Sequence, residues 1–141
     1  MLSKSRILST LGGFIFIFLG PWMFYTFIAN SFFENQKTAV GKNLMRPDDQ
    51  MDMILLTVGC LILAYAFSTL YSKWARGAHN FGQGFEFGAW LGVFTGLGDG
   101  LIMYATSNMM SLTGHIADGI WWIVWLGITG GVVSLIYRKT S

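Results

Sequence analysis

Charge is scarce in this 141-residue chain: Asp, Glu, Lys and Arg make up 11% of it, against about 25% in a soluble domain. Too little charge remains to coat a water-facing surface, which excludes a soluble enzyme and a disordered chain. A net charge of +2 offers no basic surface for a phosphate backbone, so nucleic acid is excluded as a partner. Cysteine occurs once, as Cys60 within an apolar block. No intrachain disulfide or cysteine-ligated metal is therefore expected, and packing is its expected role. Only two prolines occur. Pro21 falls in an apolar stretch, where it cannot donate to the Ile17 carbonyl and is expected to kink a helix.

What the chain has instead is apolar length. Hydrophobic residues make up 53% of it and fall in four blocks, at about 7–29, 53–72, 87–106 and 116–137. Crossing a bilayer takes about 20 such residues. Runs such as Phe14–Leu19 and Ile120–Ile128 do not alternate polar with apolar as barrel strands do, so helices are expected. Lys4 and Arg6 before the first block resemble the start of a signal peptide. The apolar run continues through Trp22, Phe24 and Phe27, past the roughly 7–15 residues of a cleaved signal core, so a retained anchor is expected.

Lys4, Arg6, Lys73, Arg76, Arg138 and Lys139 would share one side, opposite Lys37, Lys42 and Arg46. The positive-inside rule then places both termini in the cytoplasm. The expected fold is an all-α, up-down bundle of four transmembrane helices, one membrane domain over 1–141. Trp121 and Trp122 at one face, and Tyr71, Trp74 and Tyr137 at the other, are expected as interfacial anchors. Glu86 reads as a charge at a helix start. A faint echo links Leu70-Tyr-Ser-Lys73 with Ile136-Tyr-Arg-Lys139, from either a duplicated hairpin or shared end chemistry.

The third block is unusual. Gly84, Gly88, Gly92, Gly96 and Gly100 recur every fourth residue, and Gly127 and Gly131 give the fourth block a shorter version. Such stripes let helix backbones approach closely in lipid. The groove either packs the third span on the fourth or receives another chain. Asp99 lies in the same block, and ideal rotation places it above Gly88 and Gly92. An acid there costs about 2.5–3.5 kcal/mol on the insertion scale, so it is expected to face the bundle, a partner or a water-filled crevice.

Asn108, His115 and Asp118 form a polar group expected near the outer face. Helix capping by the Thr113–His115 turn, aided by Asp118, accounts for them; a metal would need three or four ligands. His79 and His115 fall at opposite ends, too far apart to bind one haem together. No metal or cofactor is expected.

Leu101–Gly114, continuing into Ile116-Ala-Asp118-Gly119, resembles a group of small bacterial four-span membrane proteins known only as a domain of unknown function. The glycine-rich start of the third span and Gly130-Gly131-Val-Val133 do so too. The likeness covers about the last 60 residues. It implies a four-helix inner-membrane protein and no activity. The run Trp121-Trp122-Ile-Val-Trp125 departs from that pattern and is a candidate partner surface. The expected function is non-enzymatic, through association with other membrane helices as a homo-oligomer or an accessory subunit. The alternatives are a small oligomeric transporter or channel using Asp99 as its proton or cation site, and a membrane enzyme or redox subunit built on His115 and Asp118.

Overall fold

The computed structural model describes residues 3–141; it is 84% helical, with no strand among the described residues. Helix α1, Lys4–Met23, is capped by the Ser3 side chain, which accepts from the Arg6 amide at 3.2 Å. It runs on through one π turn, Phe24–Ile28. Two short helices follow, α2 at Asn30–Gln36 and α3 at Ala39–Lys42. Helix α4, Met53–Ala75, is capped by Asp52 and ends at Arg76, whose φ of 48° turns the chain. Helix α5, Phe81–Gly92, passes through a π turn, Val93–Gly98, into α6, Asp99–Thr106. Helix α7, Leu112–Thr140, completes the chain.

Three helices are long and apolar enough to cross a membrane: Lys4–Ile28, Met53–Ala75 and Leu112–Thr140. The α5–π–α6 rod, of 12, 6 and 8 residues in succession, has the length. Its glycines and Asp99 dilute its apolar character and keep it outside that class.

Two expected boundaries move. The third helix begins at Phe81, because the Asn80 side chain accepts from the Gln83 amide at 2.9 Å. Glu86 is therefore an exposed residue within the helix and not a charge at its start. The last helix begins at Leu112, because Ser111 Oγ accepts from the Gly114 amide at 3.1 Å. The Thr113–His115 segment is thus the first helical turn, and Asp118 lies one turn further in.

Successive rods run antiparallel. Ser9 Oγ meets Ser68 Oγ at 2.7 Å, and Ser68 Oγ meets the Tyr137 hydroxyl at 3.1 Å. The start of α1 and the ends of α4 and α7 thus share one end of the bundle. At the other end Lys37 and Met110 form an isolated antiparallel bridge, with the Thr38 amide donating to the Met109 carbonyl at 3.0 Å. The core gathers Phe67, Tyr71, Phe87, Leu126, Val133 and Tyr137. Tyr71 and Tyr137 are 0% and 5% exposed and pack with His79, so they are core residues and not the expected interfacial anchors. The echoed Leu-Tyr and Ile-Tyr segments therefore meet at one end of the bundle.

The glycine stripe packs within the chain. A Cβ at Gly84 would strike the Gly130 carbonyl, one at Gly88 the Leu126 carbonyl, and one at Gly96 the Trp122 Cβ at 2.6 Å. Gly100 lies against His115, while Gly127 and Gly131 take the rings of Phe85 and Phe81. Helix α7 thus fills the groove.

Candidate functional site

Asp99 does not sit above Gly88 and Gly92. Those glycines are buried against α7, whereas Asp99 is exposed. Residues four apart lead by about 40° per step on a regular helix, and a π turn takes up that lead by closing one residue later. The Val93–Gly98 turn keeps Gly96 and Gly100 on the α7 side and carries Asp99 outward. The carboxylate has no hydrogen bond or ion pair among the described residues. Exposed residues near it in sequence are Phe94, 77% exposed, Thr95, and Ile102, 62% exposed.

The tryptophan run is also turned to internal use. Trp121 stacks on Phe24 with centroids 3.6 Å apart and planes within 4°. Trp125 stacks on Phe16, and its indole N–H donates to the Phe16 carbonyl at 3.0 Å. Gly20 lets the Trp125 ring lie against α1 at that level. Trp122 covers Gly96. The three rings of the run are thus engaged within the bundle while remaining half-buried.

A cavity of about 310 Å³ opens at the end of the bundle opposite the termini. Tyr25, in the α1 π turn, donates from its hydroxyl to Asp118 Oδ1 across the cavity wall. His115, one turn before Asp118, also lines it; it is 7% exposed, and its Nε2 has no hydrogen-bond partner among the described residues. An unmet buried polar atom costs on the order of 1–3 kcal/mol, so His115 is held there by its surroundings. Tyr104 meets its ring edge-on, at 6.1 Å between centroids. On the α2 side Lys37 Nζ pairs with Glu34 Oε1 at 2.6 Å, which holds the Glu34 carboxyl below its ordinary range. Met45, Met109 and Met110 complete the wall together with Asn30, Phe33 and Gly41.

The expected outer polar group is thus divided. His115 and Asp118 share the cavity, but Asn108 does not line it, and its backbone carbonyl accepts from Thr38 Oγ1. Tyr25 and the three methionines are the members that reading the sequence missed. The adjacent pair Met109-Met110, just before the helix that carries His115, was the available signal. His79 lies at the far end beside Tyr137. The 22 residues from His115 to Tyr137 on α7 correspond to about 33 Å of helix rise, so the two histidines cannot share one ligand. No family model, curated protein or solved structure matches the chain.

Proposed function

We propose that this chain is a non-enzymatic, multi-pass protein of a bacterial inner membrane, of the four-span kind it resembles. It acts by associating with other membrane helices, as a homo-oligomer or as the accessory subunit of a larger complex. Chain tracing supports the fourth crossing. Helix α4 ends beside Tyr137, and α7 begins beside Lys37 at the opposite end. If α1, α4 and α7 cross, the intervening α5–α6 rod has to cross as well. The lysines and arginines near the shared end of the termini support a cytoplasmic placement for that end.

The observation that carries the association is the outward position of Asp99. A lone carboxylate among Phe94 and Ile102 would face acyl chains in an isolated bundle, at about 2.5–3.5 kcal/mol on the insertion scale. A neighbouring helix that hydrogen-bonds it removes that cost. Glycine packing does not support the reading, because α7 already occupies the stripe. A shallow groove lined by Phe85, Glu86, Ala89, Trp90 and Val93 lies on α5.

Native mass measurement after extraction in mild detergent tests the proposal. The expected species is larger than the 15.7 kDa chain, and Asp99→Leu should return it to the single-chain mass while still inserting. A parent that runs as one chain with nothing attached overturns the reading. The exposure of Asp99 also favours a second reading, in which a seam between protomers conducts protons or cations past this acid. Flux in vesicles carrying the assembled parent, lost in Asp99→Asn, would select it.

A further inference from the structure

The cavity at the α2 end is walled by an unusual donor set for its size. Three thioethers, those of Met45, Met109 and Met110, line it together with the His115 imidazole. We infer that this cavity is a binding site for a soft monovalent metal cation, Cu(I) or its analogue Ag(I), held by methionine sulfur and His115 Nε2.

Hard cations seek oxygen ligands, and the cavity's carboxylates are already engaged. Asp118 accepts from Tyr25, and Glu34 pairs with Lys37. Zinc sites use thiolate, imidazole or carboxylate, of which the described residues offer no group of three. Thioether and imidazole together are the ligands that select a soft d10 cation. The His115 nitrogen supplies the independent sign of a missing partner, being buried and without a hydrogen bond among the described residues.

The backbone placement suits the role. The Thr38 amide donates to the Met109 carbonyl at 3.0 Å, and the Ser111 amide donates to the Gln36 carbonyl at 2.9 Å. These bonds fix the Met109-Met110 backbone against α2 at the cavity. Methionine has three rotatable side-chain bonds, so its sulfurs can close on an ion in a space larger than the ion itself. Met45, 67% exposed on the connection after α3, is free to swing inward as the last ligand. Asp118, three residues from His115 on the same helix, places a carboxyl beside the incoming positive charge. The site does not depend on what covers Asp99.

The test is silver binding by the full chain in chloride-free detergent buffer, in a Cys60→Ser background that removes the lone thiol. Silver retained after gel filtration is measured by elemental analysis, and affinity by titration. About one equivalent is expected. The double variant Met109→Leu/Met110→Leu keeps the apolar bulk and should weaken binding at least about 100-fold, the upper end of what outer-shell losses alone cause. His115→Ala should weaken it as well. The control Met51→Leu/Met53→Leu, outside the cavity, should bind as the parent does. A parent that retains no silver overturns the site, as does a Met109/Met110 double variant that binds as tightly as the parent.

Discussion

At the scale of single residues, the bundle places its polar groups by neighbourhood more than by depth. Tyr25 and Asp118 lie 93 positions apart and have no pattern in common, so their bond could not be read from the sequence. It follows from the α1 π turn and the antiparallel run of α1 beside α7. The other end holds a titratable group with a definite prediction. His79, on the connection after α4, accepts or donates through Nδ1 with the Tyr71 hydroxyl at 3.2 Å and stacks near Tyr137. Burial holds its pKa below the ordinary 6.5. Below that value the unfolded chain takes up a proton more readily than the folded one, and stability falls wherever the unfolded state binds more protons as pH drops. Resistance to unfolding should therefore decline as pH falls from 6.5 through the folded value. His79→Gln should flatten that part of the profile, as read by thermal unfolding in detergent at stepped pH. A parent and variant with parallel profiles would show that His79 does not contribute.

At the scale of elements, the glycines divide by what faces them. Gly88 has the Leu126 backbone where a side chain would go, whereas Gly59, inside α4, has nothing within 4 Å. Gly88→Ala must push α5 away from α7, and overpacking of this kind typically costs about 1–3 kcal/mol. Gly59→Ala should leave stability unchanged or raise it by up to about 1 kcal/mol, the helix-propensity difference between the two residues. Denaturant resistance of the two purified variants separates them, and equal behaviour would contradict the tight α5–α7 seam. It follows that Gly96→Leu would damage the fold itself and is no clean probe of association. The stripe was legible in the sequence because a period of four survives any rotation of the helix. The direction of Asp99 was not, because it depends on a π turn, Val93–Gly98, that hydropathy does not mark. Helix α2 was hidden for a related reason: Asn30–Gln36 is polar enough to read as a connection, and its helix is held by tertiary contacts with the segment before α7.

At the scale of the whole molecule, the decisive constraint is which connections share an end. The Lys37–Met110 bridge and the Ser111–Gln36 backbone bond tie the segment after α1 to the segment before α7. The Ser9–Ser68–Tyr137 chain ties the opposite ends of α1, α4 and α7 together. A membrane threaded by this bundle must therefore leave Asn43 and Ser107 on one side, and Arg76 and Lys139 on the other. Only a crossing by the α5–α6 rod joins Arg76 to Ser107. That rod is the least apolar of the four, and α7 shields the backbone exposed at its glycines. Single cysteines placed at these positions in the Cys60→Ser background make the prediction measurable. Asn43→Cys and Ser107→Cys should react with a membrane-impermeant maleimide in intact cells, whereas Arg76→Cys and Lys139→Cys should react only after permeabilisation. If Asn43→Cys and Ser107→Cys label from opposite sides, the α5–α6 rod does not cross, and the bundle cannot be the membrane-embedded form of the chain.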